Sequence, residues 1–327
     1  MLRIHFTGAD LMRTRIAAAP DPMWELTLSL HQLRNPSSPV FREWRRNTLR
    51  RLRPSGLLEL LLTLVPQTGY FPDFLTPSES VKGFPAAVDA ILSTPKSRLA
   101  QDLSLLGATQ RLPAWTRQLA DGDPKVLAKL GEALQAYYAA AIEPHLTEIR
   151  ASVQIDRSRR TRSLADGGYE QLLADMRPTL RWQGSVIEAD YPGDKVCHLD
   201  GRGLLFVPSF FCWGKPITLR DTSLPPVLVC PVDRDARFMA LNNLPTPARK
   251  TQEPLAALVG RTRAAVLTTI GDGCTTGEIA RRLDVSLATA SEHATVLRQA
   301  GLVASVRDGN STVHVLTPLA STLLTGM

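Results

Sequence analysis

Residues Thr275 to Val303 read TTGEIARRLDVSLATASEHATVLRQAGLV, and this stretch decides the fold of the C-terminal part of the chain. Thr275 stands three residues before Glu278, the spacing at which a hydroxyl and a carboxylate each satisfy the other's backbone N–H at a helix start. Ile279, Ala280 and Leu283 then form an apolar stripe at helical spacing. Only Asp284-Val285-Ser286 intervene before a second helix, for which Ser286 is the N-cap. Two short helices joined so tightly must cross at a large angle, which is the geometry of a helix-turn-helix. In the second helix Ala290, Ala294 and Leu297 recur at i, i+4 and i+7 and face the core, where small alanines permit close packing. The opposite face presents Ala288, Ser291, Glu292, Thr295 and Arg298, with Leu287 and Thr289 at its exposed first turn. Short side chains in that pattern suit the floor of a major groove, where the backbone must approach base edges.

Downstream, Leu302 to Arg307 and Ser311 to Leu316 predict two strands about Asp308-Gly309-Asn310, a tight hairpin turn. This hairpin is the expected wing, with Arg307, Asn310, Ser311 and Thr312 placed to meet phosphate or the minor groove. Thr275 and Thr276, at the mouth of the first helix, complete the expected DNA-contact set. Upstream, Leu255, Leu258, Val259, Val266, Leu267 and Ile270 predict one helix that stops at Gly271-Asp272-Gly273. The region resembles the winged helix-turn-helix of the ArsR (arsenical-resistance repressor) type, most clearly over Val285 to His293 and Val296 to Val303. The resemblance implies that Leu287, Ala288, Ser291 and Glu292 point toward bases, that His293 is a structural or phosphate-side residue, and that the protein is a homodimer. Leu287 and Glu292 depart from the polar or basic residues common there, so base preference is unreadable. Metal-sensing members carry paired cysteines in the first helix, or acidic and histidine ligands in the last. Neither set is present: Cys274 stands alone before its helix, so no metal and no cofactor is expected.

A chain of 327 residues exceeds what one core usually organises, and two domains are expected: 1–240, a linker over 241–252, and 253–327. Leu2, Ile4 and Phe6 alternate with polar residues as a half-buried strand does, and Thr7 with Asp10 starts a helix carrying Leu11, Met12 and Ile16. From there to Met176 the pattern is helical. Pro22 to Leu33, Pro39 to Arg53, Ser55 to Val65, Phe84 to Leu92, Pro124 to Ile142 and His145 to Arg157 all show i, i+3, i+4 apolar spacing, among roughly seven to nine helices. Arg42, Arg45, Arg46, Arg50, Arg51 and Arg53 read as a solvated helix face, with a second DNA contact as the alternative; Arg157, Arg159, Arg160 and Arg162 read likewise, or as a polar loop between helices. Short strands at Val186-Ile187, Gly203 to Val207 and Val227 to Cys230 predict a small antiparallel sheet, with the N-terminal strand as its fourth member. The fold class is therefore mainly α with a small antiparallel β-sheet: a helical N-terminal domain followed by a C-terminal winged helix-turn-helix. Asn242 to Lys250, polar and proline-bearing, suits the linker. Gly201 to Ser209 is similar to a stretch in a domain of unknown function that precedes such winged helices in actinobacterial regulators.

No run of 18 uncharged apolar residues exists to span a membrane, and the first ten residues lack the pattern of a signal peptide, so a cytoplasmic protein is expected. A formal charge of +7 favours a polyanionic partner, here double-stranded DNA. Of the 38 basic residues only seven are lysine; the heavy Arg and Ala usage suits a GC-rich bacterial genome. Cys197 and His198 are the only adjacent nucleophile and base, yet neighbours on a strand point to opposite faces, and His198 with Asp200 lacks a third ligand. With no nucleophile elbow, phosphate loop or zinc-helix motif, the expectation is a regulator and not an enzyme. Trp182, Phe210, Phe211 and Trp213 are four large aromatics near the sheet that either line a pocket for a small organic effector or fill a core or dimer seam. The expected function is a dimeric, sequence-specific transcription repressor released by that effector. The alternative is a ligand-independent or architectural DNA-binding protein whose first domain serves dimerisation or partner binding.

Overall fold

The structure, a computed structural model, describes residues 1–35, 38–52, 56–176, 179–191, 193–232, 252–270, 274–308, 311–317, 319–320 and 323. The expected linker lies outside them except for Gln252, which begins a helix; Gly271-Asp272-Gly273 and the Gly309-Asn310 part of the hairpin turn also lie outside. The chain divides into two compact units, Met1–Ala240 and Leu241–Met327, and its fold is mainly helical with small sheets.

The helices of the first unit are α1 (Gly8–Arg13), α2 (Pro22–Arg34), α3 (Arg42–Arg51), α4 (Leu57–Leu64), α5 (Phe84–Leu92), α6 (Lys96–Gly107), α7 (Trp115–Ala120), α8 (Pro124–Ala141) and α9 (Leu146–Ala174). The Thr7–Asp10 capping box forms and starts α1, but the helix stops at Arg13 and Ile16 belongs to a strand. Asp21 caps α2, its carboxylate accepting from Met23 N at 3.0 Å and Trp24 N at 3.1 Å. A helix buried on nearly every side belongs at a domain centre, and α2 buries ten of its residues from Met23 to Leu33. Two of its polar residues are tied across that core: Ser29 Oγ lies 2.9 Å from Tyr137 Oη on α8, and Gln32 Nε2 donates to Phe211 O at 3.3 Å. Trp44 Nε1 donates to Ala141 O at 2.8 Å and ties α3 to α8.

Two of the arginine groups have structural tasks. Arg45 donates to the carbonyls of Gln32 (2.8 Å), Asn35 and Ser38 (3.1 Å), gathering the chain at the C-terminal end of α2. The Arg157–Arg162 group is not a loop between helices: it lies within α9, where Arg160 pairs with Asp156 and donates to Pro231 O at 3.2 Å. The only departure from helical backbone in α9 comes later, at Gly167 and Gly168.

Among the described residues of this unit, seven strands build two sheets. Strands β1 (Leu2–His5), β3 (Leu180–Gln183), β4 (Val186–Ala189) and β5 (Lys195–His198) lie in the order β3-β4-β1-β5. Leu2 pairs with Ala189 of the antiparallel neighbour and with Lys195 of the parallel one, so the N-terminal strand is central. The strands expected over 203–207 and 227–230, here β6 (Leu205–Ser209) and β7 (Val227–Pro231), do not join that sheet; with β2 (Arg15–Ile16) they form a separate sheet whose three strands run parallel. The reason is burial on both faces, which parallel strands require and antiparallel ones do not. Val207, Val227 and Val229 face the helical core, whereas Phe206, Leu228 and Cys230 face a second core with Leu2, Ile4 and Ile187. The 210–226 segment is long enough for the crossover that parallel pairing demands.

This division separates the four aromatics. Phe210 and Phe211 are buried in the helical core, ringed by Phe41 and Trp44, with Phe211 and Trp44 centroids 4.7 Å apart and Trp213 against Phe41 at 5.7 Å. Trp182 packs in the other core, edge-on to Phe6 at 5.5 Å. They are packing residues of two cores and do not line one pocket, because successive residues after β6 turn inward around Glu25. That buried carboxylate accepts from Ser209 Oγ (3.0 Å), Phe210 N (2.8 Å) and Phe211 N (3.0 Å). His198 is stacked on His5 with centroids 4.6 Å apart, while Cys197 packs partly buried against the second core.

The second unit contains α10 (Gln252–Val259), α11 (Arg261–Ile270), β8 (Cys274–Thr275), α12 (Thr276–Leu283), α13 (Leu287–Gln299), β9 (Val303–Asp308) and β10 (Ser311–Leu316). The single helix expected over 255–270 is two, because Gly260 takes φ +89° and starts a new helix. The three strands lie in the order β8-β10-β9, all antiparallel. Among the described residues of the whole chain no helix is long and apolar enough to cross a membrane.

Candidate nucleic-acid interface

Helix α12 begins with the reciprocal cap: Glu278 N donates to Thr275 Oγ1 at 3.3 Å, and Thr275 N donates to Glu278 Oε2 at 2.8 Å. The bonds from Thr275 hold the Glu278 carboxyl below its ordinary pKa. The helix ends on Asp284 in the left-handed region, φ +53° and ψ +47°, which turns the chain within three residues. Ser286 Oγ then accepts from Thr289 N at 3.0 Å and lies 2.7 Å from Thr289 Oγ1. Ala290, Ala294 and Leu297 are buried, and Ala290 and Leu297 join Ile279 and Leu267 in one core.

The expected contact residues fall into three groups. Leu287, Ala288, Ser291, Glu292 and Arg298 are exposed on α13, Leu287 to 62%, and Thr295 is half-buried beside them. Thr275, Thr276, Ser286 and Thr289 are engaged within the domain: two pairs serve as caps, and Thr276 Oγ1 lies 2.9 Å from His314 Nε2. Arg307 and Ser311 lie on the wing strands, Arg307 opposite the exposed Thr312, and Asn310 is outside the described residues.

One feature escaped the sequence reading, the place of Cys274 and His314 opposite each other on paired strands. Cys274 is buried there, and burial pushes its thiol up. Among the described residues no group of three or more possible metal ligands converges. His314 is the buried tie of the wing, with Nδ1 2.9 Å from Ser305 Oγ on β9 and Nε2 on Thr276 of α12. The alternation of β10 marks it as inward-facing, and its isolation in sequence hides its partners.

Burial, and secondarily Arg298, holds the His314 imidazole below its ordinary value of 6.5. The unfolded chain therefore takes up a proton near pH 6.5 while the folded wing resists until lower pH. Stability from this site is complete above 6.5 and declines as pH falls through that value toward the folded pKa. We expect amide protection of β9 and β10 to drop between pH 7.5 and about 5, and His314→Gln to flatten that decline. Equal wild-type protection at both pH values would show that His314 does not set it.

Electrostatically the domain is balanced. Residues 253–327 hold the arginines 261, 263, 281, 282, 298 and 307 against the acids 253, 272, 278, 284, 292 and 308, so the chain's +7 lies in the preceding residues. The cations are nevertheless placed on the exposed elements, with Arg281 and Arg282 exposed on α12 and Arg298 on α13.

Residues 261–306 match a family model described as a helix-turn-helix domain, from the first residue of α11 into the first wing strand. No curated protein and no solved structure matches the chain. The C-terminal unit is thus similar to a class of domain that binds DNA in transcription regulation.

Proposed function

We propose that the chain is a sequence-specific transcription repressor of the ArsR-type winged-helix kind, acting as a dimer and released by a small organic ligand of its first unit. The observation that carries the DNA reading is the exposed face of α13, where Leu287, Ala288, Ser291 and Glu292 project from a helix packed through Ala290 and Ala294. Close packing on one side and short side chains on the other let a helix backbone enter a major groove. Leu287 offers an apolar contact of the kind thymine methyl groups accept, and Arg281, Arg282 and Arg298 are exposed cations available for phosphates. Dimerisation is proposed because one such helix reads only a half-site; two must lie about 34 Å apart to read successive major grooves. A first unit with two cores of its own is far more than a reader needs, which favours a regulatory role for it.

The test is binding to duplex fragments from upstream of the gene, measured against salt. A dimer neutralising about six phosphates should show log K falling with log salt at a slope of about −5, with one footprint of two half-sites. Binding without sequence preference at every salt concentration would remove the regulator reading.

A further inference from the structure

The first unit contains a cleft of about 630 Å³, a size that suits a small-molecule ligand. None of Trp182, Phe210, Phe211 and Trp213 lines it. Its apolar lining comes from Trp24 on α2, Phe74, and Leu204, Val207, Leu219 and Val227 around the start of the parallel sheet. Three arginines, Arg13, Arg15 and Arg202, meet it where the end of α1 crosses the approach to β6. The crossing is close: Gly203 has φ +74°, and a Cβ there would stand 2.6 Å from the Arg13 carbonyl, so only glycine brings the chains together.

The arginines are not neutralised. Arg13 donates to Gly201 O at 2.6 Å, and Arg202 spreads over the carbonyls of His198, Leu199, Thr222 and Leu224 at 2.8 to 3.2 Å. Neither pairs with a carboxylate, and Arg15 is exposed with no partner among the described residues. Asp10, the acid at this crossing, is already bonded by Thr7 and by Gly203 N at 2.9 Å. The fourth lining arginine differs: Arg98 sits among Asp73 (3.6 Å), Asp102 (3.3 Å) and Asp221. Asp73 also takes Arg220 N and Asp221 N, and Asp21 takes the α2 cap and Ser80, so these lining acids are occupied. Glu79 is exposed and accepts from Ser78. An apolar cleft with guanidinium groups lacking counter-charges at one corner selects an occupant with an apolar body and an anionic end.

We propose that this cleft binds a small organic anion, a carboxylate or phosphate on an apolar body, with the anionic end at Arg13 and Arg15. As a ligand site it stands on this geometry alone; as the effector site it rests on the regulator reading above.

The experiment titrates the full-length chain with decanoate, decanol and decyltrimethylammonium, three probes with one tail and different heads. Decanoate should bind at least about tenfold more tightly than the other two. In the Arg13→Glu/Arg15→Glu chain that order should reverse, and in Ala90→Trp, which places a large ring at the cleft wall, all three should lose binding. Equal affinities for the three heads, no binding of decanoate, or decanoate affinity unmoved by either variant would overturn the site. Decanoate bound as expected with no change in duplex affinity would overturn the effector role and leave the site standing. Loss of sequence preference for duplex with ligand binding intact would overturn the regulator reading instead.

Discussion

Ser291→Glu is expected to lower specific duplex affinity by about 100-fold, an energy of about 2.7 kcal/mol, without altering the melting of the protein. Ser291 is exposed one turn into α13, on the face with Leu287, Ala288 and Glu292 and opposite the buried Ala290 and Ala294. A second carboxylate beside Glu292 would enter a groove walled by phosphates, where juxtaposed like charges cost several kcal/mol. In the free protein it replaces an exposed residue, and exposed helical substitutions of this kind change stability by about 0.5 kcal/mol or less. Footprinting and thermal melting of the same preparations separate the two effects. A normal footprint from Ser291→Glu would remove α13 as the reading helix. Thr295→Glu should also lose binding, but Thr295 is half-buried and its melting temperature should fall too.

Glu25→Ala is expected to destabilise the first unit by about 3–5 kcal/mol, since a buried donor left unpaired costs about 1–3 kcal/mol. The Glu25 carboxylate is 1% exposed and receives Ser209 Oγ, Phe210 N and Phe211 N, so its removal strands three donors at the end of β6. Phe210 and Phe211 then lose the anchor that turns their rings toward Phe41 and Trp44. Glu25→Gln keeps one acceptor oxygen and should lose less. All five tryptophans, at positions 24, 44, 115, 182 and 213, precede residue 241, so urea unfolding followed by intrinsic fluorescence reports the first unit selectively. A Glu25→Ala midpoint equal to wild type would show that the carboxylate does not hold this turn.

Features that rest on contacts between near neighbours in the chain were legible before folding was considered. Thr275 with Glu278, Thr7 with Asp10, and Ser286 with Thr289 are caps whose partners lie three residues away, and each forms as the spacing requires. The buried stripe of α13 follows from a period of 3.6, and the central place of Leu2 to His5 in a sheet follows from the need to pair a strand's backbone. The remaining features were settled by packing, because they depend on groups far apart in the chain. Whether β6 and β7 run parallel was settled by the two cores that claim alternate residues of each strand, and alternation cannot say what lies on either side. The same separation sent Trp182 to one core and Phe210 and Phe211 to the other, although all lie within a short span of sequence. Arg160 and Arg13 look alike as sequence; one is bound by Asp156 on its own helix, and the other reaches a cleft because Gly203 lets a distant segment cross beside it. A cap is a contact between neighbours, whereas a cleft is the space left when remote surfaces pack, and no local pattern encodes it.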